Sequence, residues 1–471
     1  MSQLDPKSVS LDRTGGAPLA EQLAGAIEAR IASGGLTSGD RLPTTRELAA
    51  ALGVNRGTIQ AAYRRLSARR LIEGRVGSGT VVRAASRPPE SFDPATLLSR
   101  RVRGIAEEPV ALLTEPVVAD FSRLTPDERF FPLEEFTRTL SQVWSGRRDL
   151  WQYAAPLGLP ELRAEIARRL AEHGVERRPD EILVTSGAQQ AFDLIARVLL
   201  EPGACVAVED PGYPPAQLAL RAHGARVVPV PVDAEGLDVA ALPRDAQLVY
   251  VTPSHQFPLG TPMSLARRLA LLAWAERHRA AIVEDDYDSE FRFDGRPLEP
   301  LHSLDRSGRV LYVGTFSKVL LPALRLGFVV APAPLVPALR TARALADSHG
   351  AVAPQLALRE LIDDGLFARH LRRLVRSYRE RRDALAGALA AHLAGAVEPV
   401  PSAAGLHAAA YFTDRRIDAI AVCARAAAAG VAVEPLASYY RRPARAGVAL
   451  GYGLVAARDI ADGIRRLARC L

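Results

Sequence analysis

Lysine and asparagine are almost missing from this chain of 471 residues. Among its 60 basic residues only Lys7 and Lys318 are lysines, and Asn55 is the one asparagine. Arginine can replace the charge of a surface lysine, but it cannot supply an amine that loses its proton and attacks a carbonyl carbon. Lys318 is therefore a candidate for covalent chemistry, provided that its neighbours support the assignment.

Long apolar runs and paired cysteines are missing as well. No uninterrupted apolar stretch reaches the roughly 18 residues that a membrane span requires, and residues 1–10 lack the apolar segment of a signal peptide. The three cysteines, Cys205, Cys423 and Cys470, lie far apart and are odd in number. We therefore expect a cytoplasmic protein with neither a disulfide framework, a metal site nor a membrane partner.

The positive charge is concentrated in one short segment. Between Arg41 and Arg83 nine arginines stand against two glutamates, so this segment carries +7, which equals the formal net charge of the whole chain. The chain is 48% hydrophobic and long enough for two or three domains at roughly 150 residues each. A basic module joined to a neutral body predicts a domain that binds a polyanion, with a solvated arginine-rich helix face as the alternative.

The basic module, residues 10–83, contains the pattern of three helices and a hairpin. Apolar spacing predicts helices over 18–31, 46–52 and 56–68, with a glycine-containing turn between the second and the third. Such a pair forms a helix-turn-helix, whose second helix lies in the major groove of DNA. The stretch 71–82, with its glycine-rich tip, predicts a β-hairpin that forms a wing beside the helices.

The module resembles a known family of DNA-binding proteins. The stretches LPTTRELAAALGVNRGTIQAAYRRL and LIEGRVGSGTVV are similar to the GntR family of winged helix-turn-helix regulators. The resemblance implies double-stranded DNA, at a promoter operator, as a partner. The side chains that we expect to contact it are of types that bind phosphates or base edges: Arg41, Arg46, Asn55, Arg56, Thr58, Gln60 and Arg75. A helical dimerisation module without DNA is the alternative.

The rest of the chain predicts a connector and an α/β domain. Residues 84–118 contain several prolines and no clean period, which is typical of a semi-extended linker. In residues 119–471 short apolar strands alternate with helical stretches, which predicts a largely parallel sheet with both faces covered. Ligands of such sheets bind at the carboxyl ends of the strands. The predicted strands are 182–184, 206–208, 248–251, 281–284, 310–313 and 326–330.

Three strand ends carry residues that fit a single chemistry. The sequence SGAQ at 186–189 lies before a predicted helix, where backbone amides bind phosphate. The sequence EDDY at 284–287 supplies carboxylates and a phenol, and GTFSK at 314–318 supplies the lysine, with Arg325 following. Each signal is weak alone. Together a lysine for a Schiff base, a carboxylate for a pyridinium nitrogen and a phosphate cradle predict pyridoxal phosphate as the cofactor.

The large domain is similar to the fold-type I, class I aminotransferases through TSGAQQ, EDPGYP, EDDYDSEFRF and GTFSKVLLPALRLG. The resemblance implies that Lys318 joins the cofactor aldehyde. It also implies that Asp285 pairs with the ring nitrogen, Tyr287 with O3′ and Tyr213 with the ring face. The implied phosphate ligands are Ala188, Gln189, Thr315, Ser317 and Arg325. Tyr153 resembles the tyrosine that reaches the phosphate from a partner subunit, which implies a homodimer.

Two departures from the aminotransferase pattern bear on activity. Where that family offers an asparagine to O3′, this chain has Phe257, and His255 or Gln256 is the candidate substitute, with a buried structural histidine as the alternative. Where the family binds the substrate carboxylate with an arginine, this chain has Ala449. Losing that clamp weakens the case for efficient transamination of ordinary amino acids. Arg441, Arg442 and Arg445 lie nearby in the sequence.

The whole architecture resembles the MocR/GabR-type regulators, in which a GntR-like winged helix is fused to an aminotransferase-like domain. TPSHQFPLG and EDDYDSEFRF are characteristic of that group. The resemblance implies a DNA-binding transcriptional regulator that depends on pyridoxal phosphate and senses an amine, an amino acid or the cofactor itself. An active aminotransferase with an accessory DNA-binding module is the alternative, and a cofactor-free scaffold that only dimerises the DNA module is a third possibility.

Overall fold

The computed structural model describes residues 17–75, 79–83, 93–99, 102–103, 117–294 and 299–471, together with residues 4, 6, 9 and 11–13. The chain folds into two compact units, Met1–Leu98 and Ser99–Leu471. Most of the predicted linker and the tip of the predicted wing at 76–78 lie outside the described residues. The predicted boundaries at 83 and 119 therefore stay a prediction. Among the described residues, no helix combines the length and apolar character needed to cross a membrane.

The N-terminal unit is a three-helix domain with a β-hairpin. Its elements are α1 (Leu19–Ala32), α2 (Thr45–Leu52), α3 (Arg56–Ala68), β1 (Ile72–Arg75) and β2 (Gly79–Val82). The two strands pair antiparallel. One apolar cluster fills the space between the helices and the hairpin, and its fully buried side chains include Leu23, Ile27, Leu48, Ile59 and Leu66.

Local sequence signals position α2 and α3. Thr44 accepts a hydrogen bond from the backbone N–H of Glu47, whose carboxylate accepts one from the N–H of Thr44, so the two residues form a capping box. Gly53 ends α2 with a φ of 61°, a left-handed conformation that glycine adopts without a steric penalty. Asn55 then caps α3, its Oδ1 accepting from the N–H of Gly57 over 2.8 Å. The turn between α2 and α3 is therefore encoded locally, by the left-handed Gly53 and the cap at Asn55.

The C-terminal unit is built on an eight-stranded sheet with the order β4-β11-β10-β9-β8-β5-β6-β7. Strands β10, β9, β8, β5 and β6 run parallel, whereas β11 runs antiparallel to both of its neighbours and β7 runs antiparallel to β6. The expected largely parallel sheet is confirmed. Its strands are β4 (Ile182–Thr185), β5 (Cys205–Asp210), β6 (Arg226–Asp233), β7 (Gly236–Leu237), β8 (Ala246–Val251), β9 (Ala281–Asp286), β10 (Val310–Thr315) and β11 (Gly327–Val330).

Both faces of this sheet are covered, as its continuous apolar strands predict. Ile182 and Val184 belong to one buried cluster and Leu183 to another, because successive side chains of a strand point to opposite faces. The helices that cover the unit are α4 to α14 in chain order: Leu133–Gly146, Pro160–Ala171, Ala188–Leu199, Pro214–Ala222, Leu265–His278, Leu301–Leu304, Val336–Asp347, Val352–Asp363, Leu366–His392, Ala419–Ala428 and Ala457–Ala468.

Two parts of the unit were not expected from the sequence. Strand β6 contains Pro229 and Pro231, which argue against a strand, but it pairs with the very short β7 on its outer side, where ladder donors matter least. A second, antiparallel sheet has the order β12-β13-β16-β15. Its strands are β12 (Val397–Pro399), β13 (His407–Phe412), β15 (Glu434–Pro435) and β16 (Gly447–Gly451), and a separate pair joins β3 (Ala119–Asp120) to β14 (Val431–Ala432).

Candidate functional site

A cavity of about 220 Å³ gathers residues from the ends of several sheet strands. Every residue predicted to bind the cofactor lines this cavity, except Tyr153 and His255. The strand ends meet there because parallel strands bring their carboxyl ends to one edge of a sheet. The predicted residues that line it are Lys318, Asp285, Tyr287, Tyr213, Ala188, Gln189, Thr315, Ser317 and Arg325.

Lys318 follows β10 and points its amine towards the chain before α4. Its Nζ donates a hydrogen bond to the carbonyl oxygen of Leu124. Burial lowers the pKa of the Lys318 amine below its usual value, while the charges of Asp288 and Asp285 act in the opposite direction. A lysine whose pKa is lowered by burial is the usual form of a nucleophilic amine.

Asp285 is the penultimate residue of β9, and one of its carboxylate oxygens is bonded while the other is open. Tyr250, on the neighbouring β8, donates its hydroxyl to Oδ2 over 2.6 Å. The other oxygen, Oδ1, is buried and has no hydrogen-bond partner among the described residues. Burial raises the pKa of Asp285 to about 7, and the hydrogen bond from Tyr250 partly offsets that rise. An open carboxylate oxygen facing a ligand cavity fits the N–H of a protonated pyridine ring.

A second part of the cavity fits a phosphate group. Gly187 precedes α6 with a φ of 85°, and a Cβ at this position would lie 3.0 Å from the guanidinium of Arg325. Arg325 also donates to the carbonyl of Ser186 over 2.6 Å. The hydroxyls of Thr315 and Ser317 lie 3.0 Å apart at the end of β10. Backbone amides at the start of a helix, two hydroxyls and an arginine form a typical phosphate site.

Aromatic side chains also line the cavity. Tyr213 lies edge-on to Phe257, with ring centroids 5.3 Å apart. Burial raises the pKa of Tyr213 to about 12 and that of Tyr287 well above 10, so both phenols are neutral donors at physiological pH. The Tyr287 hydroxyl lies 2.9 Å from the carbonyl oxygen of His255 and 3.0 Å from its Nδ1.

His255 does not line the cavity, whereas Phe257 does. The imidazole is buried behind Tyr287, with Nδ1 3.0 Å from Asp288 and Nε2 3.0 Å from the hydroxyl of Ser402. Gln256 is also buried away from the cavity, and its amide donates to the carbonyl of Pro211. Of the two interpretations that the sequence left open for His255, this placement favours the buried structural histidine, whose contact with the cavity wall is through Tyr287.

No arginine replaces the missing carboxylate clamp among the described residues that line the cavity, where Arg325 is the one arginine. Ala449 is buried in β16. Arg441 bonds to Gln217 over 2.8 Å, Arg442 to the carbonyl of Pro229 and Arg445 to the carboxylate of Glu398. These three arginines therefore lie elsewhere in the unit.

Tyr153 lies on the surface rather than in the cavity. Its side chain is 86% exposed and meets the ring of His349 edge-on, with centroids 5.9 Å apart. Trp144 and Trp151 stack beside it and are each about half exposed. Large exposed aromatic groups in one region are typical of a protein interface.

Three residues in or beside the cavity carried no recognised signal in the sequence. Tyr250 lies inside an apolar strand and so resembles a core residue, although its hydroxyl reaches Asp285. Asp288 lies in the acid-rich stretch EDDYDSE, in which the sequence does not distinguish it from its neighbours. His407 begins β13 of the second sheet, far from Lys318 in the chain. A histidine directly after the apolar stretch AAGL was the one sequence signal that could have singled it out.

In the N-terminal unit the predicted DNA-contacting residues Asn55, Arg56, Thr58 and Gln60 lie at the start of α3, whereas Arg41 forms a bridge with Val81 of the hairpin. Arg41, Arg46, Arg56 and Gln60 are exposed, but Thr58 is half-buried rather than exposed. The Nε of Arg56 donates to the hydroxyl of Thr45 over 3.2 Å, which links the two helices. The Asn55 Oδ1 serves as the α3 cap. The side chain of Arg75 lies outside the described residues.

Comparison with known proteins assigns both units. Residues 19–82 match the family model for bacterial regulatory proteins of the gntR family, and residues 99–438 match that for aminotransferases of class I and II. The chain is 37% identical over 469 residues to the probable rhizopine catabolism regulatory protein MocR of Rhizobium meliloti, covering 97% of this chain and 94% of that protein. It is 35% identical to the pyridoxine biosynthesis transcriptional regulator PdxR of Corynebacterium glutamicum, covering 77% and 76%.

Solved structures agree for the larger unit. The crystal structure of kynurenine aminotransferase from Pyrococcus horikoshii, in complex with PMP, superposes with a TM-score of 0.71 at 30% identity, covering 81% of this chain and 96% of that one. The two units thus define a winged helix-turn-helix domain fused to an aminotransferase-type domain, a fold whose enzymes depend on pyridoxal phosphate. The chain belongs to the GntR family of transcriptional regulators, in the MocR type that carries both domains.

Proposed function

We propose that the aminotransferase-type domain of this regulator binds pyridoxal phosphate in the cavity around Lys318 and that the state of this site controls binding of the N-terminal domain to DNA. The observation that carries the proposal is that a buried lysine amine and a carboxylate with an open oxygen, that of Asp285, line the same cavity. A ligand that binds the two states of a protein with different affinity shifts their balance.

Each side chain of the cavity has a distinct task. The cofactor supplies an electrophilic aldehyde and a ring that withdraws electrons. Lys318 offers its amine to the aldehyde, and Asp285 holds the proton at the ring nitrogen. Tyr213 covers one ring face and excludes water. Thr315, Ser317, Arg325 and the amides of Ala188 and Gln189 bind the phosphate.

A homodimer completes the site in this proposal. Tyr153 does not contact the cavity of its own chain, because its side chain is exposed and does not line that cavity. The exposed tryptophans beside it supply apolar area for an interface between two copies. Two DNA-binding domains per dimer would match two half-sites of an operator. Arg46, Arg56 and Gln60 then contact phosphates and base edges.

An active aminotransferase is the second candidate, because all the residues predicted to bind the cofactor except Tyr153 and His255 line one cavity. Against it stand Ala449 and the lack of a second arginine in the described lining of the cavity. Without that cation the carboxylate of an ordinary amino acid has no bidentate partner among the described residues that line the cavity. We expect transamination of such substrates to be slow.

The test compares Lys318→Ala with Lys7→Ala, which removes the other lysine of the chain. The wild type and Lys7→Ala are expected to gain the visible absorbance of the bound cofactor, and Lys318→Ala to lack it. Binding to the promoter beside the protein's own gene, measured by gel shift at low salt, is expected to change with cofactor or amine in the first two proteins only. A wild type that stays colourless with pyridoxal phosphate, or that ignores its promoter, would refute the proposal.

A further inference from the structure

Two polar side chains of the cavity have no counterpart on the cofactor. Asp288 and His407 both line the cavity that contains Lys318, and each is 2% exposed or less. In the proposed function, the aldehyde is matched by Lys318, the ring nitrogen by Asp285 and the phosphate by the residues around Arg325. Asp288 and His407 remain available for a second ligand.

His407 brings a neutral imidazole with an unpartnered nitrogen to the cavity. Burial, together with the neighbouring His255 and Lys318, lowers the pKa of His407 well below 6.5, so the ring is neutral and one of its two nitrogens is an acceptor. The Nε2 atom is buried and has no hydrogen-bond partner among the described residues. A buried polar atom without a partner is costly, which favours a ligand that bonds to the imidazole.

Asp288 gives the same part of the cavity a negative charge. Its two carboxylate oxygens lie 3.1 and 3.0 Å from Nδ1 of His255, and its charge raises the pKa of Lys318, so its field acts on the amine in the cavity. A carboxylate or sulfonate group placed here would meet the charge of Asp288 and the lone pair of His407. Among the described lining residues, Arg325 is the one arginine, and its place is at the phosphate. The described lining of this chain therefore offers no arginine to an anionic end of the effector.

We propose that the effector is a small primary amine that carries a second hydrogen-bond donor, a hydroxyl or another amine, and no carboxylate, and that His407 and Asp288 accept hydrogen bonds from this second group. The inference rests on the proposed function, since the amine end of the effector belongs at Lys318. It concerns the other end of the molecule. A site whose buried groups need donors rejects analogues that lack them more strongly than an apolar site does.

The wild-type holoprotein tests the inference without any substitution. Amino alcohols, diamines, amino acids and plain alkylamines with two to four carbons are added, and the change in the visible spectrum of the bound cofactor gives a half-saturating concentration for each. At the best chain length the amino alcohol or diamine is expected to half-saturate at a concentration about tenfold below that of the amino acid and of the alkylamine. An amino acid that matches or exceeds the amino alcohol, or a spectrum that no amine alters, overturns the inference.

Three variants then locate the preference. His407→Phe removes the acceptor and keeps the ring volume, and it is expected to reduce the preference for the amino alcohol to about twofold or less. His407→Gln retains an acceptor and is expected to retain most of the preference. His302→Phe removes another buried histidine that lies outside this cavity and should not alter it. A cofactor-loaded His407→Phe with an unchanged preference contradicts the assignment.

Substitution of the Asp288 carboxylate tests the inference in the case that His407→Phe does not bind the cofactor. Asp288→Asn removes the negative charge, so the amino acid is expected to gain affinity relative to the amino alcohol. An unchanged ratio in this variant counts against the inference. A wild type without bound cofactor refutes the proposed function instead, and a wild type that binds cofactor and DNA but prefers amino acids refutes this inference alone.

Discussion

Removing one hydroxyl beside Asp285 tests the cofactor site most directly. Tyr250 donates to Asp285 over 2.6 Å, and its ring packs edge-on against Phe192 with centroids 5.4 Å apart. Tyr250→Phe keeps this packing and removes the donor. The hydrogen bond lowers the pKa of Asp285, which burial has raised to about 7. Its loss therefore moves that pKa further up and leaves less carboxylate at neutral pH.

The expected size of the effect follows from the energy of the lost hydrogen bond. A hydrogen bond to a charged group contributes about 1.5–3 kcal/mol net, and each 1.4 kcal/mol is about tenfold in affinity. Because Asp285 must be ionised to hold the proton at the ring nitrogen, we expect Tyr250→Phe to weaken binding of pyridoxal phosphate about 10- to 100-fold near neutral pH. The loss should shrink as the pH rises, since higher pH restores the carboxylate.

The structure supplies a matched control for this experiment. Tyr312 on β10 donates to Asp286 over 2.6 Å, and neither residue lines the cofactor cavity. Cofactor titrations followed by visible absorbance, at several pH values on both sides of neutrality, are expected to show the loss in Tyr250→Phe and not in Tyr312→Phe. Equal losses in the two variants, or wild-type affinity in Tyr250→Phe, would refute the role given to Asp285.

Five further substitutions have expected outcomes. Asp285→Asn should abolish cofactor binding. It should also raise the melting temperature of the cofactor-free protein above pH 7, because a carboxyl group whose pKa is raised to about 7 destabilises the fold as it ionises. A melting temperature below that of the wild type above pH 7 contradicts this expectation. Thr44→Ala removes the α2 capping box and should cost about 1 kcal/mol, seen as faster hydrogen exchange in α2 but not in α1. Arg46→Ala and Arg56→Ala should each weaken operator binding and, where the lost contact is to a phosphate, reduce the slope of log affinity against log salt by about 1; anisotropy titrations at several salt concentrations measure both, and unaltered affinity would remove the residue from the interface. Tyr153→Phe should lower the affinity for pyridoxal phosphate relative to unphosphorylated pyridoxal by about tenfold, and an unchanged ratio excludes the phosphate contact.

The sequence analysis predicted best the cavity residues whose positions are determined by the ends of strands. Lys318, Asp285 and Gly187 each lie at or just after the end of a short apolar strand, and parallel strands bring such positions together whatever the length of chain between them. His407 escaped prediction because it belongs to the second sheet, whose strands carry weak patterns and whose position depends on long-range packing. The same holds for Thr58, an expected DNA contact that the packing of the N-terminal unit half-buries.

Tyr250 and Tyr312 show what the sequence cannot distinguish and the structure can. Both lie in apolar strands and both donate over 2.6 Å to a buried carboxylate at the end of β9. The two carboxylates, Asp285 and Asp286, are adjacent and so point to opposite faces of the sheet. Asp286 has its second oxygen bonded by the N–H of Ser289, whereas the second oxygen of Asp285 has no partner among the described residues. Burying a carboxylate is costly unless its oxygens are bonded. Two neighbouring acids with matched tyrosines thus differ in one open oxygen, and that oxygen lies on the side of the sheet where Lys318 stands.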